Sequence, residues 1–126
     1  MISGTVGPNR EALVRLKVSG PSGEEQEIEA VIDTGFSGQF TLPPALISKL
    51  RLTWLSQGQA IMANGKVETF DIYAIVVLWD GRPLRIMAEQ ADTEPMIGMS
   101  LLFACKLTLE IVDSGLVTIE RIEVKT

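Results

Sequence analysis

The sequence of 126 residues contains no histidine and a single cysteine. Without histidine the chain cannot use the Ser–His or Cys–His pairs that activate many nucleophilic enzymes, and it lacks the commonest metal ligand of proteins. Cys105 ends the apolar run 101–105, where a lone thiol is expected to pack as a small hydrophobic side chain. Any catalysis is therefore expected from carboxylates or lysines, with no metal and no cofactor.

Clusters of positive charge and long apolar runs are also missing. The net charge is −5 and lysines and arginines are scattered, so neither nucleic acid nor an anionic membrane surface is an expected partner. The longest apolar stretch, residues 72–79, is far shorter than the ~20 residues of a membrane helix. Residues 1–6 have neither the basic nor the apolar part of a signal peptide, and a cytoplasmic location is expected.

The composition is that of a globular chain, with 46% hydrophobic and 21% charged residues. A chain of this length buries enough surface to fold around one core without a disulfide or a structural metal. We therefore expect a single domain that spans residues 1–126.

Hydrophobic residues recur mainly with a period of two, which indicates β-strands joined by short turns. Residues 12–18 alternate in this way, residues 27–32 become wholly apolar toward their end, and residues 67–79 read as one long strand. The dipeptides Asn64-Gly65 and Asp80-Gly81 predict tight turns of the primed types.

Helical signals are few. Pro43-Pro44 followed by apolar positions up to residue 50 predicts one short helix, and residues 96–103 predict a buried strand end that leads into another. A last hairpin is expected to join residues 107–111 to residues 116–120. The sequence thus predicts an all-β fold with one or two short helices.

The tripeptide Asp33-Thr34-Gly35 places a carboxylate directly after the apolar residues 30–32. A buried, unpaired carboxylate is costly, so Asp33 is expected to be paired, hydrogen-bonded or used in chemistry. The simplest alternative is a plain turn, because all three residue types favour turns. Residues 113–115, Asp-Ser-Gly, show how weak such a tripeptide is alone, since their setting predicts only a hairpin turn.

The order of segments around Asp33 resembles that of the retropepsin-like aspartic peptidases of clan AA, the family of retroviral proteases and their cellular relatives. An N-terminal hairpin leads into Asp33-Thr34-Gly35, and a glycine-containing hairpin at residues 62–66 falls where the family has its flap. Residues 95–98, Pro-Met-Ile-Gly, match the family's second signature of two apolar residues and a glycine. The resemblance covers nearly the whole chain and implies a closed β-barrel with one lobe per chain.

The resemblance implies an aspartic endopeptidase in which Asp33 is the catalytic carboxylate. Thr34 would hydrogen-bond across a dimer axis, and Gly35 would let backbone amides approach the carboxylate. The implied substrate-binding residues follow the motif, form the flap tip or belong to the second signature: Phe36, Ser37, Ala63, Asn64, Gly65, Ile97 and Gly98. Taken alone, Asn64-Gly65 indicates no more than a hairpin turn.

A single motif per chain has a consequence for assembly, because the mechanism needs two facing carboxylates and a chain of this length must take the second from an identical copy. Two like charges about 4 Å apart repel by ~4 kcal/mol at an effective dielectric of about 20, so one carboxyl of the pair holds a proton. We expect a homodimer that hydrolyses peptide bonds in a peptide or protein substrate.

Three positions depart from the family pattern. Phe36 stands where a small residue is usual, which predicts a narrower or differently shaped pocket. Ser37 and Met99 replace an Asp–Arg pair that viral members place near the dimer interface, so dimer strength is expected from elsewhere, such as residues 2–6 and 119–124.

Two alternatives to the peptidase remain at this stage. Phe36 keeps open a dimer of the same fold that binds peptides without useful turnover. A plain β-barrel domain, in which local amides cap Asp33, would instead be a monomer.

Overall fold

The computed structural model of the protein describes residues 1–123. Within them the chain forms ten strands: β1 (Ile2–Val6), β2 (Ala12–Ser19), β3 (Glu25–Ile32), β4 (Phe40–Leu42), β5 (Thr53–Ile61), β6 (Val67–Trp79), β7 (Arg82–Gln90), β8 (Met96–Ile97), β9 (Cys105–Leu109) and β10 (Leu116–Arg121). Two short helices, α1 (Pro44–Lys49) and α2 (Met99–Leu102), follow β4 and β8. Neither is long enough to cross a membrane.

Six of the strands close into a barrel, in the order β6, β7, β4, β8, β3 and β2, and the pairing of β2 with β6 completes the circle. The predicted all-β fold with a closed barrel is confirmed. Most neighbours are antiparallel, but β3 pairs in parallel with β8, and β4 pairs in parallel with β7. These parallel pairs bring together segments that are far apart in the sequence.

The barrel interior follows from the period-two pattern. In β2, Val14, Leu16 and Val18 face inward and are almost completely buried, while Arg15 and Lys17 face solvent. Each buried aliphatic side chain contributes roughly 1.5–3 kcal/mol through removal of its apolar surface from water. The outward residues form exposed ion pairs with glutamates of β3, which add little to stability.

Strand β1 lies outside the barrel between two neighbours. Ile2–Thr5 pair with Leu116–Ile119 of β10, and the end of β1 also pairs with β2. Gly4 and Thr5 are paired on both edges, whereas Ile2 and Ser3 pair only with β10. The contribution of residues 2–6 to a dimer stays a prediction. The predicted C-terminal segment ends at Val124, which lies outside the described residues.

The two predicted tight turns differ. Asp80 and Gly81 both have positive φ, at 50° and 81°, as a primed two-residue turn requires. In Asn64-Gly65 only Gly65 has positive φ, and a five-residue loop joins β5 to β6, so the prediction of a primed turn there is wrong. The physical reason is local: the Asn64 side chain accepts a hydrogen bond from the amide of Lys66 at 3.0 Å.

The last hairpin is shifted from its predicted position. Strand β9 ends at Leu109 rather than at residue 111, and residues 110–115 form the loop before β10. Ser114 has positive φ, and the amide of Gly115 donates to the carbonyl of Val112 at 2.9 Å. The tripeptide at residues 113–115 is therefore a turn, as predicted.

Candidate active site

Asp33 follows the last residue of β3, at one end of the barrel. Its amide donates to the carbonyl of Ile97 at 2.9 Å, which continues the parallel pairing of β3 with β8. The Asp33-Thr34-Gly35 motif and the segment 95–98 are therefore joined by a backbone hydrogen bond.

The residues after Asp33 form a tight turn. The Oδ1 atom of Asp33 accepts a hydrogen bond from the amide of Gly35 at 2.9 Å, and its carbonyl accepts one from the amide of Phe36 at 3.2 Å. The second carboxylate oxygen accepts no hydrogen bond from residues 1–123. Asp33 is half-buried and Thr34 and Gly35 are exposed, so one oxygen is held by the loop and the other is available to solvent or to a proton.

A second set of hydrogen bonds ties this loop to the start of α2. The carbonyl of Phe36 accepts from the amide of Met99 at 2.8 Å, and the carbonyl of Gly38 accepts from the amide of Ser100 at 3.1 Å. The hydroxyl of Ser100 also donates to the carbonyl of Ser37 at 2.5 Å. This network joins residues 36–38 to the start of α2.

The large side chain of Phe36 is accommodated by two glycines. Its ring carbons lie 2.5 Å from the positions that a β-carbon on Gly38 or on Gly98 would occupy. The ring is therefore half-buried beneath the loop, in space that side chains at positions 38 and 98 would otherwise fill. Phe36 does not cover Asp33, which keeps its partial exposure.

Two residues predicted to bind substrate are buried. Ile97 is fully buried because its side chain packs in the hydrophobic core, and Gly98 is buried against the Phe36 ring. Both hold the loop in place, since the carbonyl of Ile97 accepts from the amide of Asp33 and the amide of Gly98 donates to the carbonyl of Gln39 at 3.0 Å. Their role in substrate binding stays a prediction.

The predicted flap tip lies at the far end of the β5–β6 hairpin. Ala63, Asn64 and Gly65 are exposed, and none forms a hydrogen bond with the Asp33 loop within residues 1–123. Phe70 packs across Gly58 lower in the hairpin, where a β-carbon on Gly58 would stand 2.5 Å from the ring. The tip is therefore carried on a stem of paired strands and forms no hydrogen bond with Asp33 within residues 1–123.

A cleft beside the loop was not predicted from the sequence. It has a volume of about 260 Å³ and is lined by Gly38, Gln39, Ile72, Met87, Glu89 and Ser100. Glu89 faces the loop here, because a β-carbon on Gly38 would collide with its Oε2 atom. Partial burial raises the pKa of Glu89 above its ordinary value. The alternation of β7 did not indicate this burial, since Glu89 shares a face with the exposed residues Arg85 and Met87.

No group of three or more cysteine or acidic side chains within residues 1–123 is arranged to hold a metal ion. Cys105 is a half-buried free thiol at the start of β9.

Comparison with known proteins identifies the fold. No protein-family model and no curated protein sequence matches the chain. Among solved structures, EIAV protease in complex with the inhibitor HBY-793 matches with a TM-score of 0.56 and 15% identity, over 75% of this chain and 88% of that chain. A retropepsin-like aspartic protease from Rickettsia conorii matches with a TM-score of 0.57 and 18% identity, over 94% of this chain and 89% of that chain. The closed barrel and these two likenesses together show that the chain has the retropepsin-like fold.

Proposed function

We propose that the chain is an aspartic endopeptidase that acts as a homodimer, with Asp33 of each copy forming the catalytic pair. The observation that carries this proposal is the setting of Asp33. It leaves a buried strand, is fixed through its amide to Ile97, and keeps one carboxylate oxygen without a hydrogen bond from residues 1–123. A plain turn would not need a second, sequence-distant segment to hold its aspartate.

The chemistry follows from bringing two such carboxylates together. At about 4 Å apart they repel by ~4 kcal/mol at an effective dielectric of about 20, which keeps a proton on one of them. The ionised carboxylate takes a proton from a shared water as that water attacks the peptide carbonyl, and the protonated carboxyl donates to the carbonyl oxygen. The amide of Gly35 orients its own Asp33 by binding Oδ1.

Several exposed groups near the loop support pairing with a second copy. The Thr34 side chain is exposed, and its hydroxyl has no hydrogen-bond partner within the described chain. Met99 and Phe103, which begin and follow α2, are 50% and 84% exposed. Large apolar side chains beside a catalytic loop are more readily explained by a covering partner than by contact with water.

The β5–β6 hairpin provides a candidate flap. Ile61 and Val67, at the ends of the two strands next to the tip, have exposed apolar side chains. Closure of such a hairpin over an extended peptide would bury these side chains and exclude water from the reacting bond. In this proposal, the lack of hydrogen bonds between the tip and the Asp33 loop within the described residues corresponds to an open arrangement.

The alternative function, a dimer that binds peptides without useful turnover, was kept open because of Phe36. Since the ring packs against Gly38 and Gly98 and leaves Asp33 partly exposed, Phe36 gives no specific reason to expect an inactive site. We therefore keep the endopeptidase as the proposed function and use the binding module as the opposing outcome of the experiment.

The experiment compares the wild type with Asp33→Asn on a denatured protein and on a mixed peptide library, at mildly acidic and at neutral pH. The asparagine keeps an oxygen that can accept from Gly35, so the variant is expected to remain folded and dimeric but to cut nothing. A folded wild-type dimer without turnover under any condition would support the binding module. A wild-type monomer would contradict the shared site.

A further inference from the structure

The cleft that contains Glu89 lies directly beside the Asp33 loop. Asp33 is joined to Phe36 by a backbone hydrogen bond, and the Phe36 ring and the Glu89 carboxylate both lie against the position that a β-carbon on Gly38 would occupy. Because position 38 carries no side chain, nothing separates Glu89 from the loop. Any extended peptide bound over Asp33 would therefore have residues within reach of this cleft.

Hydrogen bonds hold two polar side chains of the cleft wall, Gln39 and Ser100, in place. The side-chain Oε1 of Gln39 accepts a hydrogen bond from the amide of Met87 at 2.8 Å, which extends the pairing of β4 with β7 by one position. The Ser100 hydroxyl is engaged by the carbonyl of Ser37. Glu89 is thus the charged side chain of the cleft, among polar neighbours that already have partners.

In the described chain, the negative charge of Glu89 is not balanced by an ion pair. No lysine or arginine within residues 1–123 forms an ion pair with it. The elements packed around it, β4, β6 and α2, contain no cationic residue, and β6 adds the carboxylates of Glu68 and Asp71. Arg82 and Arg85 lie on β7 itself, but each lines a different cleft.

The size of the cleft fits one long side chain. An engineered apolar cavity of about 150 Å³ holds a benzene molecule, and this cleft measures about 260 Å³. Ile72 and Met87 provide apolar walls for an aliphatic stem, while Glu89 offers an acceptor for a charged end group. Lysine and arginine combine such a stem with such an end group.

We propose that Glu89 is a specificity-determining residue whose cleft binds a lysine or arginine side chain of the substrate peptide. This inference rests on the proposed function, because it takes the peptide to lie over Asp33. A bound cation would neutralise a half-buried carboxylate that has no ion-pair partner of its own. Burial raises the pKa of Glu89, which agrees with a carboxylate whose compensating charge comes from the ligand.

The test uses a peptide that the wild type cuts, remade with lysine or with norleucine at each position in turn around the cleaved bond. At one position the ratio of kcat/KM for lysine over norleucine is expected to exceed one. Glu89→Gln should lower that ratio about tenfold, and Glu89→Lys should bring it below one, because two like charges would then meet in the cleft. Glu29→Gln, which removes an outward-facing carboxylate of β3, is the control and should leave the ratio unchanged.

A binding measurement separates this inference from the proposed function. Fluorescence anisotropy of the same labelled peptides is recorded with Asp33→Asn, alone and combined with Glu89→Gln, so that no turnover is needed. About tenfold weaker binding of the lysine peptide to the double variant supports the subsite even if the wild type cuts nothing. Equal binding of lysine and norleucine peptides, or a preference that survives Glu89→Gln, overturns the subsite even if the wild type is an active peptidase.

Discussion

The ring of Phe36 stands 2.5 Å from the point where a β-carbon on Gly98 would lie, and the carbonyl of Gly38 stands closer still. A methyl group at position 98 would therefore meet backbone as well as a side chain. Gly98→Ala is expected to destabilise the fold by about 1–3 kcal/mol, since the backbone must shift to make room. Chemical denaturation measures this loss.

The matched variant is Gly38→Ala, for which the three atoms nearest to the added β-carbon belong to the side chains of Phe36 and Glu89. Shortening Phe36 to alanine should therefore rescue much of the cost of Gly38→Ala but little of the cost of Gly98→Ala. A double-mutant cycle measures both couplings. Equal rescue of the two glycine variants would contradict the packing described for Phe36.

Thr34→Val is expected to weaken the proposed dimer about tenfold while leaving the folded chain intact, because the exposed hydroxyl makes no hydrogen bond within the described chain. Sedimentation across a range of concentrations gives the dissociation constant. Thr53→Val, which alters an exposed threonine of β5, should leave the constant unchanged. A Thr34 variant that unfolds, or that dimerises as the wild type does, would argue against a role for this hydroxyl across the dimer.

Gly65→Ala and Gly23→Ala form a pair that tests the flap. Both glycines have positive φ, at 82° and 87°, and neither has a neighbour within 4 Å of an added β-carbon. Each substitution should cost roughly 1 kcal/mol in backbone strain alone. Only Gly65→Ala is expected to raise KM, because only position 65 belongs to the proposed flap. Identical kinetics of the two variants would remove the flap role from residues 63–65.

Glu89 makes stability depend on pH. Burial raises its pKa in the folded chain, so folding takes up a proton in the range between the ordinary carboxyl pKa and the raised one. The free energy of unfolding therefore falls as pH rises through that range. Glu89→Gln removes this titration and should gain stability relative to the wild type between about pH 3.5 and about pH 7.5.

Thermal unfolding at those two pH values measures the effect. Glu120→Gln, at an exposed position of β10, is the control and should show no such change. A Glu89 variant whose stability relative to the wild type is the same at both pH values would mean that burial does not disfavour the charged carboxylate.

Local patterns in the sequence predicted much of the fold. The alternation in residues 12–18 and the apolar run up to Trp79 correspond to β2 and β6, since each pattern reflects which face of one strand is buried. The meeting of Asp33 with residues 95–98 was implied by the family resemblance. The retropepsin-like fold itself is confirmed by the solved structures.

The remaining features depend on distant pairings that no local pattern records. The backbone of β8 is paired because the strand lies between β3 and β4, and Ile2–Thr5 are paired because β10 returns beside β1. The setting of Glu89 depends on the parallel pairing of β4 with β7 and on the missing side chain at Gly38. The roles proposed for Asp33, Thr34, Gly35 and the flap tip await the experiments above.

The hydrogen bond between Asp33 and Ile97 also bears on the order of folding. A loop that closes only when a segment from the last third of the chain arrives has a high entropic cost of closure and forms late. During synthesis the ribosome releases Asp33 long before Ile97, so a partly made chain carries the aspartate without its supporting strand. We therefore expect the Asp33 loop to reach its final conformation only after β8 has been made and has paired with β3.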